Sequence, residues 1–441
     1  MRASTTTMST PAGFFSLDTL RRYGIWILTA LVFLLLPKVF SSGAAITTMC
    51  LMGITIVFAL SYNMLLGQTG LLSFGHAVYY GLGGFLAVHG MNVIADGRLP
   101  VPLPLVPLIG GFMGLVSGIV FGAVSTKRGG TVFAMITLGL GELIASMSLV
   151  LRGFFGGEEG ISTNRTKMLA MFGHKFGPQI EVYYLIAAWC FLCMVLMFAF
   201  TRTPLGRMCN AVRDNPERAE FVGYSAQRVR FLAFSISGLF AGIAGGLTAI
   251  NFELITSLNI SGAQSGVVLL MAYIGGIGHF FGPILGAVLV TLLQSMLSDY
   301  TGAWQLYFGL LFIAMVMFAP GGLAGLVMLH APLWRNGTLL RVLPYYALMA
   351  IPALLGFAGV VTLIETAHHQ LVAANSEGPA MRTFYIAYNS NNPLAWIIAL
   401  ALIAAGILLG RRWAPLLRDA FDAAARPQAK AAQHETTGGR P

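Results

Sequence analysis

The chain has 441 residues, of which 56% are hydrophobic and only 10% charged, with a formal net charge of +10 and a mean hydropathy of +0.77. Such a composition excludes a soluble domain with an ordinary polar surface and indicates a polytopic membrane protein. The basic residues are scattered at the ends of apolar runs instead of clustering with aromatics on a polar domain, so the positive charge reports topology and not a nucleic-acid partner.

Unbroken apolar runs such as Ala44 to Leu60 exclude a transmembrane β-barrel, whose strands alternate apolar and polar residues. The fold class is therefore all-α. The 53 glycines agree with this, because small residues let membrane helices approach closely and break around polar cavities. Against the roughly 20 residues needed to cross hydrocarbon, about twelve spans are expected. Six fall near residues 23–40, 44–66, 70–95, 103–126, 129–151 and 182–200, and six near 231–251, 264–280, 282–298, 304–320, 343–364 and 394–410. The third and eighth carry runs of glycine and are read as broken or re-entrant. The first resembles a cleavable signal after Arg21 and Arg22, but it lacks a small-x-small cleavage site and is expected to be retained.

Alternating these spans from an inside N-terminus puts nineteen of the 26 Lys and Arg residues in the cytoplasm, the orientation favoured by the positive-inside rule. Both termini are then cytoplasmic. The expected organisation is a cytoplasmic segment 1–22, a membrane core 23–328, an extension 329–410 with two further spans, and a disordered cytoplasmic tail 411–441. The outer loop from Arg152 to Ile180 reads equally as a docking platform or a solvated loop. Cys190 and Cys193 share a Cys-x-x-Cys spacing, but their apolar neighbours point to helix packing instead of zinc. Glu365, His368 and His369 lack a further ligand set and read as an exposed loop end.

Between the sixth and seventh spans, Thr201 to Arg230 is the long basic interruption of the chain. Asn215 can cap a helix, Pro216 suits its first position, Glu217 favours the positive end of its dipole and Gly223 can close it. A helix of about seven residues, roughly 10 Å long, is expected there. It is too short to be stable alone and must lean on something else.

Two sets of polar residues fall at membrane depth. Glu142 lies roughly 20 Å past the inner boundary of its span, so it must face protein or water; lining a route and serving as a partnered structural glutamate are equally open. Asn63, Gln68, Ser73 and His76 surround the glycine-interrupted entry to the third span. There they either face a solute or stabilise the irregular junction.

Glu217, Ala219 and Gly223 occupy positions one, three and seven of the Glu-Ala-Ala-x-x-x-Gly pattern by which ABC importer permeases engage their ATPases, with Arg218 at the second position instead of Ala. Ser61-Tyr62-Asn63-Met64-Leu65-Leu66-Gly67-Gln68-Thr69-Gly70-Leu71-Leu72-Ser73-Phe74-Gly75-His76 precedes it, followed by Thr137-Leu138-Gly139-Leu140-Gly141-Glu142. Thr203-Pro204-Leu205-Gly206-Arg207, Gly275-Gly276-Ile277-Gly278 with Gly282-Pro283-Ile284-Leu285-Gly286, and Phe318-Ala319-Pro320-Gly321-Gly322-Leu323-Ala324-Gly325-Leu326 complete the series. In this order, from about Thr48 to Leu326, the segments resemble the LivM-type permeases of the branched-chain amino acid ABC importer family.

That resemblance implies an inner-membrane importer subunit paired with a second, LivH-like permease. Two cytosolic ABC ATPases would drive it, and an extracytoplasmic binding protein would deliver branched-chain or related amino acids. Arg213, Asp214, Pro216, Glu217, Arg218, Ala219, Glu220 and Gly223 would form the ATPase-coupling surface, and Asn63, Gln68, Ser73, His76 and Glu142 are the candidates for the translocation path. No Gly-Lys-Ser or Gly-Lys-Thr occurs, so no phosphate-cradling loop is expected here. The chain is expected to be no enzyme and to carry no cofactor of its own, with ATP used by the partners. Urea, short amides and small carboxylates are alternative substrates on the same scaffold. A stand-alone secondary transporter is the alternative from another class.

Overall fold

The computed structural model describes residues 17–169, 176–373, 378–384 and 386–425, with side chains described from residue 24 onward. In chain order the helices are α1 (Leu17–Val39), α2 (Gly43–Thr69), α3 (Ala77–Ala95), α4 (Val106–Ser125), α5 (Gly130–Val150), α6 (Arg152–Phe155), α7 (Gln179–Arg202), α8 (Pro204–Asp214) and α9 (Pro216–Phe221). They continue as α10 (Ala226–Phe252), α11 (Gly262–Gly275), α12 (Gly282–Leu297), α13 (Trp304–Phe318), α14 (Gly322–Leu329), α15 (Ala331–Arg335), α16 (Leu339–His368) and α17 (Pro393–Ala425). Two short antiparallel pairs join them: β1 (Ile161–Ser162) with β2 (Leu254–Ile255), and β3 (Ala380–Thr383) with β4 (Ile386–Asn389).

Among the described residues, eight helices are long and apolar enough to cross a membrane: α2, α3, α4 with the turn before it, α5, α7, α10, α16 and α17. The pair α13 and α14–α15 passes the same criterion as one span bent by 45°, and residues 24–39, α11 and α12 are shorter apolar helices. The protein is thus a mainly helical, multi-pass membrane protein. The span expected from residue 70 is helical only from Ala77, and the one expected to reach residue 280 stops at Gly275. At both places glycine adopts a positive φ, +69° at Gly70 and +106° at Gly276, which a right-handed helix does not accommodate.

The chain packs as two units, the first comprising the residues up to Ala272 with Pro283–Leu292. Its centre is α10, which lies against α4, α3 and α2. The α4–α10 seam is made by glycines: a Cβ added at Gly110 would lie 2.5 Å from Gly242 O, and one at Gly238 would lie 2.6 Å from Gly114 O. Small residues allow the two backbones to touch, which is how membrane helices gain dispersion energy without a hydrophobic driving force. Tyr80 Oη and Thr248 Oγ1 are 2.7 Å apart, and Ser237 Oγ donates to Ser61 O at 2.6 Å, tying α3 and α2 to α10. Cys190 and Cys193 are fully buried in α7, as helix-packing residues should be.

The second unit holds residues 273–282 and 293 onward. Its main feature is an antiparallel hairpin of α16 and α17. Thr338 Oγ1 donates to Ala424 O at 2.9 Å, while a Cβ on Gly406 would lie 2.8 Å from Pro352 O and one on Gly359 2.7 Å from Ala399 O. Within this unit the Gly321-Gly322 step also packs on Gly275 and Gly276, two of the glycine segments singled out in the sequence.

At the C-terminal side the structure corrects one expectation. The expectation of a disordered tail from residue 411 does not hold for 411–425, which continue α17. Leu417 and Phe421 pack there against a buried cluster of Leu333, Val342 and Ala424, supplying apolar contacts that the Ala-rich composition concealed. Residues 426–441 lie outside the described residues. The segment expected to end at residue 22 is helical from Leu17.

Candidate functional site

The basic interruption folds into two helices instead of one. Thr203 accepts from Gly206 N at 3.1 Å and Pro204 occupies the first helical position of α8. Asn215 Oδ1 then accepts from Arg218 N at 2.9 Å and Pro216 opens α9. The end of α9 is closed by Gly223, at φ +91°, with Tyr224 N donating to Ala219 O at 3.1 Å. Ser225 begins α10, accepting from Arg228 N at 3.4 Å. Each cap satisfies a backbone group left over at a helix end, so the path of the chain is fixed by side chains visible in the sequence.

What a six-residue helix leans on is now defined. Ala219 of α9, Cys209 and Val212 of α8 and Ala226, Val229 and Ala233 of α10 form one buried cluster, flanked by Phe200, Leu205 and Met208. Burial pushes the Cys209 thiol up to about 12. Between them α8 and α9 leave a shallow groove of about 280 Å³ lined by Met208, Ala211, Asp214, Asn215, Arg218, Ala219 and Val222. Beside it Phe221 is 90% exposed and Val222 71% exposed. These two form an exposed apolar pair on an otherwise polar element.

The expected coupling residues therefore divide. Asp214, Glu217, Arg218, Glu220 and Gly223 are on the exposed side, and Ala219 points into the cluster. Arg213 is exposed too, and its side chain also reaches back to α2. Its Nη1 donates to Gly67 O at the end of α2, and its Nε lies 3.1 Å from Asp214 Oδ1. The whole of α8, and Phe221 with Val222, were missed in the sequence; the Thr203-Pro204 pair carries the same cap-then-proline signal as Asn215-Pro216 and would have found α8.

The polar residues at depth also divide. Segment 70–76 is unwound, and its backbone is met by side chains from elsewhere: Thr137 Oγ1 accepts from Phe74 N at 3.2 Å, and Ser265 Oγ from Ala77 N at 3.0 Å. Tyr62 Oη donates to Ser73 O at 3.1 Å, and His76 Nε2 lies 3.0 Å from Ser61 Oγ. The His76 ring stacks on Phe58 at 5.5 Å. Of the four candidates there, Asn63, Ser73 and His76 are buried and Gln68 is half-buried.

Glu142 is different. It lies on α5, a helix only one-third buried, and it is exposed on a face with Met135, Leu138, Leu143 and Val150. Its Oε1 is 3.0 Å from where a Cβ on Gly262, the first residue of α11, would sit. The free space at Gly262 is what admits the carboxylate.

A multi-pass helical bundle with an unwound, side-chain-capped segment and a capped helix pair exposing an aromatic knob is the frame of a transport subunit. Comparison with known proteins makes this specific. Residues 44–320 match the family described as the branched-chain amino acid transport system permease component, and the chain belongs to that family. It is 29% identical over 294 residues to the high-affinity branched-chain amino acid transport system permease protein LivM of Escherichia coli K12, covering 61% of this chain and 67% of that one. It is 28% identical over 309 residues to the LivM of Salmonella typhimurium, covering 65% and 71%. With the permease protein BraD of Pseudomonas aeruginosa it shares 24% identity over 283 residues, covering 61% and 91%. No solved structure matches. The matched region ends before α16 and α17.

Proposed function

We propose that this chain is the LivM-like half of an ATP-driven importer of branched-chain or related amino acids. It pairs with a second, LivH-like permease, receives solute from an extracytoplasmic binding protein, and is driven by two cytosolic ABC ATPases that bind the ATP. The observation that carries this reading is the α8–α9 element. It is packed on the N-terminal end of the 27-residue helix α10, and it presents Glu217, Glu220 and Phe221 outward. A docked ATPase that moves α9 moves α8 and the end of α10 with it, because all three share one buried cluster.

In this reading the eight long helices, the bent pair and the three shorter apolar helices make twelve crossings of the inner membrane, with both termini and α8–α9 on the cytoplasmic side, where Arg202, Arg207, Arg218 and Arg228 satisfy the positive-inside rule. Glu142 supports placing the solute path along α5. An ionised carboxylate near the middle of a crossing helix is costly toward lipid, so its exposed face is covered by the second permease or by water.

Expressing the chain with a second permease, two ATPases and a binding protein, purifying through a tag on this chain and assaying the eluate tests the reading. An ATPase and a second permease should co-elute, and leucine uptake into vesicles should require ATP. Uptake by this chain alone under an ion gradient would instead make it a secondary transporter.

A further inference from the structure

We infer that Arg213 is a positioning residue that passes the movement of the docked ATPases to the unwound segment 70–76; the inference rests on the ATPase-docking reading above. At the end of α2 the carbonyls of the last turn have no helical partner. Gly70 N closes on Leu66 O at 3.1 Å and Leu71 N on Leu65 O at 3.1 Å, while Gly67 O is taken by Arg213 Nη1. A guanidinium at the negative end of a helix dipole is stabilised twice, by charge and by the hydrogen bond.

The fit is steric as well. Gly70 holds φ +69°, and a Cβ there would lie 2.9 Å from Arg213 Cγ, so the arginine stem crosses the cap of α2 in space that only glycine leaves open. Gly70 is both the last cap of α2 and the first residue of the unwound segment.

Both ends of this link are fixed to larger bodies. Arg213 lies in the last turn of α8, two residues before the cap of α9, and Val212 beside it is buried in the cluster with Ala219 and Ala226. Beyond Gly70 the unwound segment is held by Thr137 of α5 and Ser265 of α11. A Cβ on Gly75 would lie 3.4 Å from Gly141 Cα, and Gly141 precedes Glu142. A displacement of α9 therefore reaches the backbone beside Glu142 through one side chain, without passing along the length of any crossing helix.

The test uses the complete importer in proteoliposomes, with solute uptake and ATP hydrolysis measured on the same vesicles. R213M keeps the stem but removes the donor, so uptake per ATP hydrolysed is expected to fall about tenfold, the equivalent of one lost charged hydrogen bond, while the ATPases still co-purify. R213K keeps the charge and reaches one carbonyl, and is expected to recover most of that ratio. An unchanged ratio in R213M overturns the inference. Loss of ATPase association in R213M also overturns it, since Arg213 would then belong to the docking surface itself. Should R213M fail to accumulate in the membrane, G70A carries the test, because its methyl displaces the arginine stem. Uptake per ATP should fall in G70A as well, and an unchanged ratio there counts against the inference. If the unaltered chain binds no ATPase, the docking reading fails, and this inference with it.

Discussion

Arg165 and Glu253 form an ion pair at the C-terminal end of α10, with Arg165 Nε 3.2 Å from Glu253 Oε1 and the two side chains 11% and 31% exposed. The pair is one of proximity. The aligned bonds of this guanidinium run from Nη1 to Ile250 O and Asn251 O, and from Nη2 to Gly177 O and Gln179 Oε1. Together with the β1–β2 pairing of Ile161 and Ile255, it staples the loop after α5 onto the last turn of α10. That helix, about 40 Å long at 1.5 Å per residue, thus has the α8–α9 element at one end and Arg165 at the other. R165A leaves Glu253 and the carbonyls of α10 unpaired and should cost about 3 kcal/mol. Thermal unfolding in detergent checks this: R165A should melt well below the parent, and R165K between the two.

The glycine seam of α4 and α10 makes a contrasting pair of substitutions. G110V pushes a branched side chain against Gly242 O and should prevent the helices from closing, because overpacked backbone contacts cannot relax by rotamer changes. G139A lies on α5 with nothing within 4 Å and should behave as the parent. Size-exclusion profiles of the two variants in detergent are the readout, aggregation being expected for the first alone.

All four cysteines are buried, so the chain has little background reactivity. At pH 8 a thiol with its pKa raised to about 12 is ionised to roughly one part in 10⁴, against about one in ten at an ordinary value near 9. The shift is upward, so Cys209 stays protonated as the pH rises from 7 to 10 and should resist maleimide across that window. A cysteine introduced by F221C, on the exposed side of α9, should label at least about a hundredfold faster. Rapid labelling of Cys209 in the folded protein would mean that α8 is not seated on α10.

Much of this architecture was legible in residues whose roles are local. The Asn215-Pro216 and Gly223 signals located α9, and the glycines at 70 and 275–278 located the breaks in two apolar runs. What was not legible depends on distant partners. Nothing near Arg213 in sequence points to Gly67, and nothing near Phe74 or Ala77 points to Thr137 and Ser265, because such pairings are set by how the helices pack. The helical stretch 411–425 escaped for a related reason: Leu417 and Phe421 are too few to read as an apolar face until Leu333 and Val342 are brought against them.

Glu142 carries a separate expectation. E142Q removes the charge but keeps the shape, so the subunit should insert and assemble as before. If the carboxylate faces the solute path, uptake at fixed ATPase activity should fall about tenfold, the scale of one charged interaction. Uptake assays in vesicles with ATP hydrolysis measured in parallel distinguish this from a structural glutamate, whose neutral variant would transport normally or fail to assemble.

What touches α9 in the assembled complex decides whether this chain is driven by a cytosolic ATPase. A photo-activated cross-linker placed at residue 221, irradiated in intact membranes, should yield a covalent adduct between this chain and a cytosolic ATPase, strengthened or weakened by ATP. An adduct with the extracytoplasmic binding protein, or none in a complex that hydrolyses ATP and transports, would contradict it.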